Sequence, residues 1–400
     1  MKNVLLVAHF CDYGNEQSNN RFNYIADILT KAGHRVTVVT SSFCHRDKKQ
    51  RDMGEQSSRG YDMVLLKEPS YQKNISPKRL FYSHKVFASN LRKYLKTCEK
   101  PDVVYVAIPS NDVGVVVADY CKRENIPLVV DIQDLWPEAF KLVFNMPVVS
   151  NIIFNPMSRQ ADKIYSVADK IIAVSGTYAN RGLQACKKDK EGTVVFLGTE
   201  LEAFDKSAES IRIDKNDGEL WITYVGTLGH SYNIELIIDA LNLLPDNIAK
   251  KVIFKVLGDG PLMQRFKDYS TGCKVNVEFL GRLGYGEMVA YLKKSDIAVN
   301  PISKGAAQSI INKHGDYAMA GLPVVSTQEA PEYRSLLEEY RCGINCGVES
   351  AEDVARALEM LIEDEALRFE MGRSSRKLGE EKFDRKRSYI ELIKLIETIS

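Results

Sequence analysis

Neither charge is in excess in this 400-residue chain: 54 Lys and Arg face 53 Asp and Glu, a net of +1. That balance excludes a chain-wide polyanion-binding role, which needs a large field of one sign. No run approaches roughly 18 consecutive apolar residues, so no membrane-spanning helix is expected. Nothing near Met1 reads as a secretory signal, because the apolar stretch 4–8 is short and polar residues 9–20 follow it. The eight cysteines are scattered, and the one close pair, Cys342 and Cys346, has no histidine or second pair beside it. Zinc-site spacing is therefore missing, and buried thiols in a reducing, cytoplasmic compartment are expected. There is no GxxxxGK[ST], which excludes a P-loop NTPase. No GxGxxG occurs in order, which argues against a dehydrogenase. Short-period repeats and low-complexity tracts are also absent.

What is present is ordinary for a globular protein: 44% hydrophobic and 27% charged residues, in a length that suits two domains. Short β-branched runs alternate with helical patterns. Residues 4–8 read as a buried strand. Phe22, Ile25, Ile28, Leu29 and Ala32 then share one helical face, which Gly33 ends. Strands follow at 36–40, 103–107, 128–131, 170–174 and 193–197. A polar, turn-rich stretch at 202–219 reads as a linker, after which a second series begins at 221–225, 252–257, 275–280, 297–300 and 323–326. Strand–helix alternation of this kind predicts α/β architecture with parallel sheets wound on both faces. The expected division is 1–205 and 206–382, with 383–400 a terminal helix whose apolar face holds Tyr389, Leu392, Ile393 and Ile396.

Three segments carry chemistry. The first is Gly226-Thr227-Leu228-Gly229 with Gly281-Arg282-Leu283-Gly284, two tight turns that each follow a strand. Such turns suit phosphate at a helix N-terminus, and equally suit plain α/β connections. The second runs from Gln308 to Val325, a loop leading into a helix that ends at Gly321. Lys313 and Asp316 lie three apart on its first turns. A lysine there fits a phosphate and the carboxylate fits a pair of sugar hydroxyls, while a surface ion pair is the bland alternative. The third is Asp131-Ile-Gln-Asp134-Leu-Trp-Pro-Glu138, at the C-terminal end of a strand, where ligands bind in open α/β sheets. Asp134 is a candidate for orienting a hydroxyl, or else a helix N-cap.

Together these residues resemble the two-domain GT-B glycosyltransferases, in particular the retaining family 4 and its bacterial surface-polysaccharide (capsule and O-antigen) subgroup. Asn312, Lys313, Asp316, Tyr317, Gly321 and Pro323 match that subgroup's N/S-K-x-x-E/D-Y-x-x-x-G-x-P pattern. Residues 256–261, 279–282 and 168–175 resemble further family segments, and residues 131–138 resemble R-D-L-W-P-E with Gln133 replacing Arg. Gln308 stands in place of the family's first glutamate. Thr227 and Asn233 stand where many members have Arg and Lys on the diphosphate.

The resemblance implies two Rossmann-like domains, the first for the acceptor and the second for the nucleotide-sugar. On that reading Arg282 and Leu283 hold the base. Gly14, Gly226, Thr227, Leu228, Ser309, Ile310, Ile311 and Lys313 attend the diphosphate, and Asp316 takes ribose or sugar hydroxyls. His9, Arg21, Asp134 and Glu138 face the acceptor, with Asp134, Lys313 and Asp316 the catalytic set. It further implies retention of configuration, no metal and no cofactor beyond the co-substrate, with a UDP-linked sugar the first choice. A sugar-nucleotide epimerase of the same fold, or a GT-B scaffold without turnover, remains open as an alternative.

Residues 41–100 hold fourteen Lys and Arg against six Asp and Glu, a local balance of +8, with Tyr71, Phe81, Tyr82, Phe87 and Tyr94 interleaved. This pattern suits an anionic membrane surface or a polyprenyl-diphosphate-linked glycan acceptor, and a solvated basic face equally. No nucleic-acid recognition motif accompanies it. Residues 139–158 carry a single charge, Lys141, and suit a lipid-facing groove or a core helix. The location expected is cytoplasmic, peripheral to the inner face of the cell membrane.

Overall fold

The computed structural model describes residues 1–14, 16, 20–52, 59–73, 76–138, 140, 147–306 and 310–400, leaving aside the side chains of 147–152. The chain divides into two units, Met1–Val195 with Tyr389–Ser400, and Phe196–Ser388.

The first unit is built on a seven-stranded parallel sheet of order β5-β2-β1-β6-β7-β8-β9. Its strands are β1 (Asn3–Val7), β2 (Arg35–Ser41), β5 (Asp62–Leu66), β6 (Val103–Ile108), β7 (Leu128–Ile132), β8 (Lys170–Ala173) and β9 (Thr193–Val194). β3 (Phe43–Cys44) and β4 (Lys49–Gln50) form a small antiparallel hairpin outside it. β1, β6 and β7 are β-branched and buried on both faces, as central parallel strands must be. One face packs on the helices His84–Tyr94, Asn111–Glu124 and Pro147–Val167. The other packs on Arg21–Lys31 and on the returning helix Ile390–Thr398 through Tyr389, Leu392 and Ile396. The expected single terminal helix is in fact broken: the turns Gly379–Phe383 and Arg385–Ser388 stay with the second unit, and only Ile390–Thr398 packs in the first.

The second unit carries a six-stranded parallel sheet of order β12-β11-β10-β13-β14-β15. The strands are β10 (Leu220–Val225), β11 (Val252–Leu257), β12 (Asn276–Gly281), β13 (Ile297–Asn300), β14 (Val324–Ser326) and β15 (Gly343–Asn345). Buried residues on the two sides of the sheet form two cores. The stretch read as a linker contains a helix, Leu201–Ser207, because Phe204 buries completely in the second of these cores.

Both sheets are doubly wound, and each changes winding direction once. In the first the change falls between β1 and β6, in the second between β10 and β13. Crevices at the C-terminal ends of such strand pairs are where open α/β sheets bind ligands.

Candidate functional site

At the second unit's switch point, three strand-end loops lie against one another. Gly226 N donates to Leu257 O at 2.9 Å, Leu228 N to Asp259 O at 3.0 Å, and Gly258 N to Gly281 O at 2.8 Å. A Cβ on Gly258 would lie 1.8 Å from Gly226 O, and its φ is +148°, so only glycine permits this approach. The loops enclose a cleft of about 510 Å³ lined by Gly226, Thr227, Gly258, Gly260, Arg282 and Leu283 among others. Thr227 and Arg282 are exposed, whereas Leu228 is wholly buried.

The helix Asn312–Ala320 enters this region after β13. It starts without a side-chain cap at Ile311 and ends on Gly321 in the left-handed conformation. Lys313 is buried, and its Nζ has no hydrogen-bond partner among the described residues. That nitrogen sits 4.3 Å from the Tyr224 ring centroid and 3.8 Å from that of Tyr232. A Cβ at Gly226 would stand 3.1 Å from it, so the bare glycine is what separates the amine from the cleft. Burial pushes the Lys313 amine well below the ordinary lysine range.

Asp316 faces elsewhere. Its Oδ1 accepts from the Tyr285 hydroxyl at 3.2 Å. Burial pushes its carboxyl up to about 7, against the opposing effects of Tyr285 and the Arg385 guanidinium. Lys313 and Asp316 therefore form no ion pair, and the bland reading of their spacing is set aside. Ile310 is a core residue, 3% exposed, and Ser309 and Gln308 lie outside the described residues. Asn233 caps the helix Ile234–Leu243 by accepting from Leu236 N at 3.1 Å.

The first unit's switch point is occupied by its own side chains. His9, just after β1, is sandwiched between the Phe10 and Phe87 rings at 4.5 and 4.3 Å. Its Nδ1 lies 3.0 Å from Ser110 Oγ, just after β6, and its Nε2 lies 2.8 Å from Glu68. Burial works to raise the Glu68 carboxyl, yet His9 and hydrogen bonds from Ser41 and Ser83 hold it down at about 2. His9, Glu68 and His84 bring metal-ligand atoms within 4.8 Å of one another. Arg79 Nε, however, donates to His84 Nε2 at 3.2 Å, and a cation there would meet a guanidinium. The set fits a hydrogen-bond network rather than a metal site.

Arg21 is committed to a buried ion pair rather than presented to a ligand. Its Nε donates to Asp131 at 2.9 Å and its guanidinium also reaches Val195 O and the Tyr389 hydroxyl. Tyr105 and Gln133 donate to the same carboxylate, each at 2.6 Å. Glu138 is paired with Arg181 at 2.6 Å. Asp134 is half-buried and accepts from Leu135 N at 2.9 Å and Trp136 Nε1 at 3.1 Å, with burial raising its carboxyl. Gly14 adopts a positive φ of 56°, and residues 15 and 17–19 of its loop lie outside the described residues.

In the basic segment, Tyr71 and Phe87 are core residues and Tyr94 packs against the core. Only Phe81 and Tyr82 of the interleaved aromatics are exposed, at 64% and 55%. Of the apolar stretch 139–158, residues 139 and 141–146 lie outside what is described, and 147–158 belong to the helix Pro147–Val167. Sequence reasoning missed Tyr224, Tyr232, Tyr285 and Arg385, which surround Lys313 and Asp316. Of the residues around His9, the one legible signal was Glu68, the lone acid between residues 63 and 98 of a basic segment.

Residues 19–202 match the family model described as Glycosyltransferase Family 4, and residues 205–378 match Glycosyl transferases group 1. An uncharacterized glycosyltransferase of Methanocaldococcus jannaschii is 26% identical over 238 residues, a match that spans 59% of this chain and 60% of that relative. Among solved structures, sucrose-phosphate synthase from Thermosynechococcus elongatus superposes with a TM-score of 0.75 at 15% identity, covering 99% of this chain and 98% of its own. Anabaena HepE, solved in complex with UDP, gives 0.68 at 14% identity over the whole of both chains. Both share the architecture of two Rossmann-like parallel-sheet domains.

Proposed function

We propose, for a chain that belongs to the GT-B glycosyltransferases, that it moves a sugar from a UDP-linked donor to a lipid-linked glycan, with retention and without a metal, in surface-polysaccharide synthesis. The observation that carries the donor half is Lys313, a buried lysine whose amine has no hydrogen-bond partner among the described residues, set behind a glycine wall of an open cleft. A diphosphate supplies the missing counter-charge. Backbone groups at Arg282 and Leu283 hold the base, and the amides of Gly226–Leu228 and the start of the helix Asn312–Ala320 attend the phosphates. Asp316 accepts from ribose or sugar hydroxyls. As the bond to the anomeric carbon breaks, Lys313 and the helix dipole stabilise the charge on the departing diphosphate, which takes the acceptor's proton.

For the acceptor half, Asp134 orients the attacking hydroxyl from the C-terminal end of β7. The membrane partner rests on the turn Lys78–Ser83 and the helix His84–Tyr94. Lys78, Phe81, Tyr82, Lys85, Arg92 and Lys93 are exposed there with no acid among them. No helix among the described residues is long and apolar enough to cross a bilayer, so docking is peripheral, by charge and two aromatic side chains. Vesicle co-sedimentation should rise with anionic lipid content and fall as salt approaches roughly 0.5 M.

A thermal-shift screen of UDP-, GDP-, dTDP- and CMP-sugars tests the donor reading, because only a ligand of the native state raises the melting temperature. UDP-sugars are expected to do so. A screen in which none does removes the donor site. An isomerised sugar formed without acceptor replaces transfer by epimerisation.

A further inference from the structure

We infer that Lys313 is an uncharged amine in the empty protein and takes up one proton as the donor's diphosphate enters the cleft. The inference rests on the donor reading above and adds the charge state in which that site meets its ligand.

The geometry around Nζ carries it. From β10, Tyr224 presents its ring, with its hydroxyl donating to Thr227 O at 2.8 Å. From the loop after β10 come the Tyr232 ring and Gly226. On the lysine's own helix, Asp316 turns its Oδ1 to Tyr285 and lies near Arg385, and Tyr317 donates to Val299 O at 3.2 Å. His314 stacks on Tyr333 at 3.6 Å with its own charged form disfavoured by burial. No carboxylate among the described residues acts on the Lys313 amine.

An ammonium here would have lost its hydration shell and gained only two tyrosine faces. Aromatic faces favour a cation, but they return only a fraction of the hydration lost on burial. Burial alone thus sets the direction, toward the neutral amine. A diphosphate reverses it. An anion at the Gly226 wall would face Nζ across a bare glycine and favour the charged form. Binding is then coupled to protonation: the amine lone pair accepts H⁺ from solvent, an ammonium–phosphate contact forms, and release of the nucleotide returns the proton. The other buried lysine among the described residues lacks this character. Lys255, 6% exposed, is paired with Glu278 at 2.6 Å and keeps its charge partner throughout.

The test is calorimetric titration of UDP-glucose into the full chain at pH 8, in buffers of differing ionisation enthalpy. UDP-glucose is the probe because both its phosphates are diesters that do not titrate near neutrality, so any proton taken up belongs to the protein. The expected result is close to one proton per ligand, with affinity falling about tenfold per pH unit above the amine's lowered pKa. Lys313→Arg should bind without proton uptake, since a guanidinium stays charged when buried. If the arginine is not accommodated, Lys313→Gln, weaker in binding and likewise without uptake, makes the same assignment. Wild-type binding with no proton uptake and flat affinity from pH 7 to 9 overturns the inference and leaves the donor site standing. UDP-glucose that binds Lys313→Gln as tightly as wild type, or a failure of every UDP-sugar to bind, overturns the donor reading itself.

Discussion

The two switch points of this molecule have the same topology and opposite electrostatics. Around β1 and β6 the two buried carboxylates are partnered: Glu68 meets His9, Ser41 and Ser83, and Asp131 meets Arg21, Tyr105 and Gln133. Between β10 and β13 the buried amine of Lys313 has none among the described residues and faces two tyrosine rings and a glycine. Burying a charge is costly unless it is paired. A compensated edge is complete by itself, and an uncompensated one is complete only with a ligand. The first crevice therefore reads as an internally braced scaffold with Asp134 at its margin, and the second as a site waiting for an anion.

The largest effect expected is at Asp134, the acid on the braced edge that the reading assigns to chemistry. Asp134→Ala should keep nucleotide-sugar affinity while transfer falls by roughly two to four orders of magnitude, as for other positioned catalytic groups. If its bonds to Leu135 N and Trp136 Nε1 are its whole role, the change costs only about 1 kcal/mol of stability and transfer survives. Measuring melting temperature, donor affinity and transfer rate on one variant decides between them. Arg21→Ala should act on the other axis. Removing one member of a buried pair strands Asp131 and costs about 3–5 kcal/mol of unfolding free energy. Denaturant titration would show it, and an unaffected midpoint would break the contrast between the two edges.

At the second switch point the order is reversed. Lys313→Ala deletes a buried amine with no hydrogen-bond partner among the described residues, so the melting temperature should hold or rise. Donor affinity should fall by about 1.5–3 kcal/mol, or roughly 10- to 100-fold, the usual worth of a charge-assisted hydrogen bond. A variant that loses stability and keeps affinity would make Lys313 a structural residue like Arg21.

Much of this was visible in the residues alone. Every central strand of both sheets lies within a residue or two of its expected place, because β-branched runs buried on both faces leave a periodic trace. β5, β15 and the β3–β4 hairpin escaped notice. β5 is partly exposed and follows a charged segment, and the others are two or three residues long. The terminal helix was foreseen as continuous, yet Asp384 accepts from Leu201 N and Lys386 N and stops it. The helix that carries Lys313 and Asp316 was legible through their spacing and motif. Their surroundings were not, since a tyrosine on a buried strand, such as Tyr224, has the pattern of any core residue. Arg21 misled for the same reason: its partner, Asp131, is 110 positions away.

Asp316 offers the smallest and most diagnostic effect. Its folded carboxyl titrates near 7 and its ordinary value is 3.8. Between those values the folded state binds more protons than the unfolded one, so this group's contribution to stability is lost as pH rises through that window. Asp316→Asn should accordingly melt higher than wild type at pH 8, with the gain shrinking toward pH 4. Function should move the other way. The ionised carboxylate is the stronger acceptor of hydroxyl hydrogen bonds, so the loss in kcat/KM should be about tenfold at pH 8 and smaller at pH 6, where the native carboxyl is mostly protonated. Tyr285→Phe removes the hydroxyl that favours the anion, and should shift the wild-type activity profile to higher pH without altering its plateau. Parallel melting curves and activity losses of equal size at both pH values would separate Asp316 from the donor.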